Sequence, residues 1–487
     1  MGERSGEGSR SRRELLTELT ALAGLGASEA LLPAAPVAAQ GTAHQAMGTR
    51  VGDAADSTAV VWCRITSAAT RNNQGVVVSG RVNRQAPARV TVPVDQLEGA
   101  CPGAAGRVRL RYAPNPELRD ARTTPWADVS EREDFLHHFL LENLQPGTTY
   151  HYVSEATGPG GTRAASTVRG RFATAPRPSS TAPVRFCVMT CQGYHDRGHP
   201  DGHAIYPAML RLDPHFTCLT GDLVYYDSNE PQAVTPRLAR YHWERMFSLP
   251  RLVEFTRSVG TYWLKDDHDT LSDDSAPGAV MGDFTFAEGQ RIFRQQAPMR
   301  PGPAYRTFRW GRDLQIWLTD GRDYRSPKTM PDGPQKTIWG RVQKEWFQRT
   351  VRESDAAWKV LVSPTPLVGP DRPQKNDNHS NRGYQHEGDE LRAWLRTHVP
   401  DNFFVVCGDR HWQYHSVHPD TGLHEFSAGP ASDEHAGGTP GHDPRIHRFH
   451  RVLGGFLSVS VGRTGEKPTI RFEHRDVTGQ VVYTFEK

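Results

Sequence analysis

Two textures divide the chain. From about 44 to 175, short runs alternate apolar and polar positions: STAVVWCRI at 57–65 is a compact apolar strand, and RVRLRYA at 107–113 sets Val108, Leu110 and Tyr112 on one face. DFLHHFLLENLQPGTTYHYVSE at 134–155 reads as a strand, a Pro-Gly turn and a second strand. Short strands with recurring turn signals predict a β-sandwich, and the Leu144–Tyr152 stretch resembles a fibronectin-III or immunoglobulin-like turn and strand. TAPRPSSTAPV at 174–184 then reads as a Pro/Ser linker. Beyond it the alternation stops. Continuous apolar runs appear at 184–189, 215–220, 259–264, 314–319, 358–363 and 403–408, with helical patterns at 203–212, 237–249 and 339–353. Strands buried on both faces and interleaved with helices predict an α/β layered domain. The alternating tail, GFLSVSV to VVYTFE, closes the same domain as antiparallel β. The expected organisation is a tail at 1–43, a β-sandwich at 44–175, a linker at 176–184 and a catalytic domain at 185–487.

The chemistry collects where those runs end, which is where open α/β sheets bind ligands. The first empties into Thr190-Cys191-Gln192 and the second into GDLVYYD, which carries Asp222 and Tyr225. The third ends in Lys265-Asp266-Asp267-His268-Asp269, the fourth in Asp320-Gly321-Arg322-Asp323, and the last in Gly408-Asp409-Arg410-His411. A carboxylate at Asp222 can bridge two cations about 3.5 Å apart, as two-metal hydrolases require. A phenolate at Tyr225 is a hard, strongly donating ligand suited to Fe³⁺, and a Cys191 thiolate and His411 would serve the same ion. Asp267 and Asp409 supply oxygens for a second, harder cation such as Ca²⁺ or Mn²⁺. His268, directly after a ligand, is placed to face a substrate.

Composition narrows the partners. In 487 residues, 58 Lys and Arg against 55 Asp and Glu leave a net charge of +3, too balanced for nucleic acid as an obligate partner. No apolar stretch near 20 residues follows the first forty positions, so no transmembrane helix is expected there. Of six cysteines, Cys187, Cys218 and Cys407 read as small strand hydrophobes, while Cys63 and Cys101 leave a disulfide open. At the N-terminus, SRSRRELL followed by a weakly apolar stretch and Val37-Ala38-Ala39 resembles a twin-arginine export signal with a small-residue cleavage site, although Glu14, Glu18 and Glu29 interrupt it. The expectation is a secreted or periplasmic protein.

GDxxY, DDHD and GDRH resemble variants of the calcineurin-like metallophosphoesterase blocks, among which GDxxY marks the purple-acid-phosphatase branch. Cys191-Gln192 stands where that branch has Asp-x-Gly, Asp267 where it has the Asn of GNH, and Asp409-x-His411 replaces GHxH. With LTDGRDYR at 318–325 and the β-rich N-terminal part, these departures resemble the PhoD-like alkaline phosphatase/phosphodiesterase family over residues 45–487. The resemblance implies a four-layer α/β/β/α catalytic domain and hydrolysis of small phosphate esters by a metal-activated hydroxide. Carried over by motif, Cys191, Asp222, Tyr225 and His411 would hold Fe³⁺, Asp222, Asp267 and Asp409 would hold Ca²⁺, and His268 would contact the scissile phosphate.

One block is missing. The branch has VxxH after the strand corresponding to 358–363, but here that strand runs into Ser363-Pro364-Thr365-Pro366, and the next histidine is His379 in KNDNHSN. Asn378 or His379 is the expected replacement at the second metal or the phosphate. Arg322 and Arg382 are the expected clamps on a phosphate oxygen, because a guanidinium donates two parallel hydrogen bonds; Arg322 could instead pair with Asp320 or Asp323. Two other functions fit the same residues: a phospholipase-D-like phosphodiesterase acting on lipid headgroups, and an exported surface- or polymer-binding protein whose metals are structural.

Overall fold

The computed structural model describes residues 43–83 and 88–487. The stretch read as an export signal lies outside the described residues. The apolar runs form strands buried as their composition demands: Phe216–Thr220, Gly260–Leu264 and Phe403–Cys407 are buried at every position. Val184–Met189, Phe216–Thr220 and Gly260–Leu264 pair in parallel in one sheet. Leu314–Leu318, Trp358–Ser363 and Phe403–Cys407 do so in another. The C-terminal strands Phe456–Thr464, Lys467–Arg475 and Val481–Glu486 extend the first sheet antiparallel, as the alternation predicts.

The nine-stranded and seven-stranded sheets share an apolar layer of Phe186, Phe216 and Tyr262 from one, and Phe308, Ile316, Val360 and Phe404 from the other. Helices cover both outer faces. Against the nine-stranded sheet pack α1 (Ile205–Arg211), α2 (Pro236–Phe247), α3 (Pro250–Ser258) and α4 (Phe286–Gln296), through residues such as Met209, Trp243, Phe255 and Phe293 over Leu219 and Trp263. Against the other sheet pack α5 (Gly340–Glu353) and α6 (Gln385–His398), through Phe347, Leu391 and Leu395 over Leu361 and Val405. The order is helix, sheet, sheet, helix. Among the described residues no helix is long and apolar enough to cross a membrane.

Local chemistry explains the helix ends. Thr235 caps α2, accepting from the Leu238 amide, with Pro236 in the first turn. Pro250 begins α3 rather than ending α2. Thr285 and Glu288 form a reciprocal capping box at the start of α4, a Thr-x-x-Glu signal that the sequence carries in plain sight.

The β-rich N-terminal part does contain two facing sheets, but one is not its own. Gly106–Ala113, Thr149–Thr157 and Ser166–Ala173, with two short strands, form a five-stranded sheet. Thr49–Gly52, Ala59–Arg64 and Leu136–Leu141 instead complete the nine-stranded sheet, because Thr49–Gly52 pairs in parallel with Gly260–Leu264. That pairing covers an edge which would otherwise present free amides and carbonyls. The two sheets enclose Val61, Cys63, Val108, Leu110, Tyr152 and Phe172. The segment at 174–183 thus marks a change of sheet, while the described residues belong to one compact unit. All six cysteines are free and buried, so Cys63 and Cys101 do not pair.

Arg50 ties this extension to the helices. Its guanidinium lies 3.9 Å from the Trp62 ring centre and 4.4 Å from that of Phe247, and Nη1 donates to the Gln296 carbonyl at 2.7 Å. Trp62 is fully buried and donates through Nε1 to the Gln295 carbonyl at 2.9 Å. Trp62→Ala is expected to cost about 3–5 kcal/mol in unfolding free energy, the usual range for emptying such a site, read from the denaturant midpoint.

Candidate metal centre

Three strand ends make the same move. Cys191, Asp222 and Asp409 each stand two residues past a parallel strand, and each adopts the left-handed conformation, with φ of 50°, 54° and 63°. A non-glycine residue there costs on the order of 1–3 kcal/mol, so the surroundings must hold it. They do. Cys191 N donates to the Gly221 carbonyl at 3.3 Å, Gln192 N to the Asp222 carbonyl at 3.0 Å, and Asp409 N to Thr190 Oγ1 at 3.3 Å. The two sheets meet at this point. A Cβ on Gly408 would lie 2.5 Å from the Thr220 carbonyl oxygen and 2.8 Å from that of Pro364, so only glycine lets the strand Phe403–Cys407 approach so closely.

The side chains converge on Asp222. Its Oδ2 lies 3.5 Å from Cys191 Sγ and 3.2 Å from the Tyr225 hydroxyl, which is in turn 3.5 Å from His411 Nε2. Asp222 shares three donor clusters whose ligand atoms lie within 4.8 Å of one another: with Cys191 and His411, with Asp267 and His268, and with Asp266 and Asp409. Its other oxygen, Oδ1, is buried and has no hydrogen-bond partner, and Asp266 Oδ2 is in the same state. Orphaned buried carboxylate oxygens amid thiol, phenol, imidazole and further carboxylates fit cations better than any group the chain supplies.

The electrostatics agree. Burial pushes the Asp222 carboxyl well above its ordinary range, and Asp267, Asp266 and Asp269 push it further against His268. Burial and Asp222 likewise raise the Cys191 thiol and the Tyr225 phenol. Without cations the pocket therefore favours protons. His411 is held neutral by burial and by its neighbours His435 and Arg410, which leaves a lone pair for a metal. His268 is the exception: burial opposes its charge, but Asp227, Asp267 and Asp222 outweigh it. Asp227 Oδ1 meets His268 Nδ1 at 2.5 Å, leaving Nε2 as the nitrogen available to an incoming oxygen.

Three more expected site residues are held by partners of their own. Arg322 is fully buried beside the centre, its Nε 2.5 Å from Asp266 Oδ1 and its Nη2 3.6 Å from Asp267 Oδ2, so it holds carboxylates in place. Asn378 spends both functions of its amide nearby, donating to Asp371 and Asp377 at 2.8 Å and accepting from Ser380. His379 turns to Glu387 at the start of α6, 2.9 Å away, and packs edge-on against Trp339. Arg382 is exposed. Conversely, Asp266, Asp227 and His435 belong to the site without having been singled out. Asp227 lies within GDLVYYD, but its partner His268 is 41 residues away. His435 reaches the Tyr225 hydroxyl at 2.9 Å from a loop that no spacing ties to the centre.

Fold and site together define a two-sheet α/β protein built around a shared carboxylate. The profile of the PhoD-like phosphatase family matches residues 186–454, and that of the PhoD-like phosphatase N-terminal domain matches residues 31–176. The chain belongs to the PhoD-like phosphatase family. It is 23% identical to alkaline phosphatase D of Bacillus subtilis over 335 residues, which are 58% of this chain and 54% of that protein, so the match spans about half the length of this curated relative. Among solved structures, one of PhoD superposes with a TM-score of 0.70 at 17% identity, covering 91% of this chain and 88% of that one. Purple acid phosphatase PPD1 from yellow lupin, Lupinus luteus, does so at 0.61 and 12% identity, covering 90% and 73%. At such identities these likenesses concern the fold.

Asp269 carries a pH prediction. It accepts from the amides of Asp266 at 2.6 Å and Leu223 at 3.2 Å, tying the two loops together, and burial pushes its carboxyl up to about 8. The folded protein keeps a proton that the unfolded chain releases near its ordinary value of about 4. Stability of chelated protein should therefore fall as pH rises from about 4 towards about 8. Asp269→Asn should flatten that slope, read from urea midpoints at about pH 5 and about pH 8.

Proposed function

We propose that the protein hydrolyses phosphate esters at this centre, with Cys191, Asp222, Tyr225 and His411 holding Fe³⁺, and Asp222, Asp267 and Asp409 holding Ca²⁺, or Mn²⁺ in its place. The observation that carries the reading is the position of Asp222, which meets Cys191, Tyr225 and His411 on one side and shares further clusters with Asp267 and His268 and with Asp266 and Asp409. Soft and phenolic donors select a transition metal, while carboxylates select a hard divalent ion. Family membership supports phosphate esters as the substrate class.

Bound there, such cations would acidify water and offset charge gathering on the phosphoryl oxygens. The chain's own residues do the rest. Asp227 orients the His268 ring so that Nε2 can donate to a phosphoryl or leaving oxygen. Arg322, anchored by an Asp320 oxygen on its own amide at 2.9 Å, keeps Asp266 and Asp267 ionised and in place. At the other sheet Arg410 pairs with Asp371 and Asp409. The facing N-terminal sheets are, in this reading, a fibronectin-III-like extension. Arg12, Arg13 and Val37-Ala38-Ala39 support export of the folded protein.

Two measurements test the proposal. Protein purified without chelator should show a visible charge-transfer band and release nitrophenol from nitrophenyl phosphate or its bis-ester, the ratio giving monoester or diester preference. Stripping the metals should abolish both signals, and restoring iron with calcium should return them; a colourless, iron-free protein of full activity would overturn the ligand assignment. Asp222→Asn removes the shared charge and should lower kcat/KM by more than the roughly 10–100-fold typical of losing an outer partner.

A further inference from the structure

A buried carboxylate and imidazole behind Tyr225 take no part in the mechanism above. His435, 6% exposed, sits in the loop after the strand His424–Ser427, and Asp196 in the loop that begins at Cys191. Asp196 Oδ2 lies 2.5 Å from His435 Nδ1, and His435 Nε2 lies 2.9 Å from the Tyr225 hydroxyl. His435 is nearer to that hydroxyl than Asp222, at 3.2 Å, or His411, at 3.5 Å. The Tyr225 ring is gripped on two sides, its centre 4.5 Å from that of His268 and 5.2 Å from that of His435. His435 also lies 4.4 Å, ring to ring, from His411.

We infer that Asp196 and His435 are a positioning pair that fixes the phenolic oxygen of Tyr225 in the Cys191, Asp222 and His411 donor set, and thereby sets the site's affinity for its transition metal. The inference rests on the reading of Tyr225 as an iron ligand. A carboxylate only accepts hydrogen bonds, so Asp196 determines that Nδ1 of His435 carries hydrogen; Nε2, in a fixed ring orientation, accepts from the phenol and would take its proton and donate it back to the oxygen when that oxygen is a phenolate ligand. A phenol on a loop otherwise turns freely about two side-chain torsions. Here the ring has one setting, and the chain has made room for the device. A Cβ on Gly193 would lie 2.2 Å from Asp196 Oδ1, so glycine at 193 is what admits the carboxylate.

The effect should be specific to one of the two ions, because Tyr225 joins only one donor set. In full-length protein, His435→Phe keeps a ring but removes the nitrogen that meets the hydroxyl, and Asp196→Asn removes the acceptor that orients it. Both should lower iron affinity roughly 10–100-fold, the range for outer partners of metal ligands, and displace the charge-transfer maximum. Calcium affinity, measured on the same preparations, should not change. His435→Gln, whose amide can still meet the hydroxyl, should recover most of the iron affinity. Wild-type protein that binds no iron and shows no band defeats the reading of Tyr225. Wild type with a band, and variants with the same band and iron affinity, defeat the positioning pair alone. Equal loss of iron and calcium with a lowered unfolding midpoint would reduce the pair to general support and overturn the inference.

Discussion

Negative charge is buried between the two sheets, and much of it is paired with buried cations. Asp266 and Asp267 have Arg322, Asp371 and Asp409 have Arg410, and Asp320 and Asp323 have Lys265. These cations are buried with their partners, so each pair offsets a desolvation cost that neither member could bear alone. Asp222 has no such partner. One of its oxygens touches only a thiol and a phenol, both weak donors that burial and its own charge keep protonated, and the other touches nothing. A middle carboxylate without an ion pair among neighbours that have them suits an external positive charge.

The backbone bears a matching cost. Three left-handed residues at equivalent strand ends would together weigh on the order of several kcal/mol, and they persist because the ends support one another. The loop after Val184–Met189 hydrogen-bonds to the loop after Phe216–Thr220, and Thr190 accepts from the loop after Phe403–Cys407 in the other sheet. Turning each residue out of its strand by the same conformation aims Cys191, Asp222 and Asp409 at one volume. The strain is a structural expense of making three unconnected strands deliver ligands to a single point, and it is met by two sheets whose cores are otherwise unbroken.

The donor groups gathered around Asp222 were legible because each follows a buried apolar run, and the rule that chemistry gathers past parallel strand ends needs no knowledge of loops. Cys191, Asp222, Tyr225, Asp267, Asp409 and His411 all came from it. Hydrogen-bond partners were not legible. Arg322 and His379 have the right chemistry in roughly the right place, but a polar side chain points to its strongest available partner, and those partners, Asp266 and Glu387, are set by tertiary contacts. His435 was invisible for the converse reason: nothing in its surroundings in the chain distinguishes a histidine facing the centre from one facing solvent. At the level of fold, alternation predicted the strands of the N-terminal part and their facing arrangement. It gave no hint that Thr49–Gly52 would pair with Gly260–Leu264, because pattern within a strand says which face is buried and says nothing about its neighbour.

That unexpected pairing bears on the centre itself. Gly260–Leu264 carries Asp266, Asp267 and His268, and without Thr49–Gly52 it would be an edge strand, the part of a sheet most prone to fray. Covered, it is an interior strand hydrogen-bonded on both sides. The cover continues in side chains: Asp53, just past Thr49–Gly52, accepts from Arg306 Nε at 2.8 Å, and Arg306 donates through Nη2 to the Trp263 carbonyl at 2.9 Å. Residues far from the centre in the chain therefore clamp the strand that delivers Asp266 and Asp267. Rigid delivery matters most where the ligands repel one another, since a frayed strand would let Asp267 swing towards water and relieve the crowding that makes the site attract cations. The N-terminal strands read better as part of the frame of the centre than as an appended module.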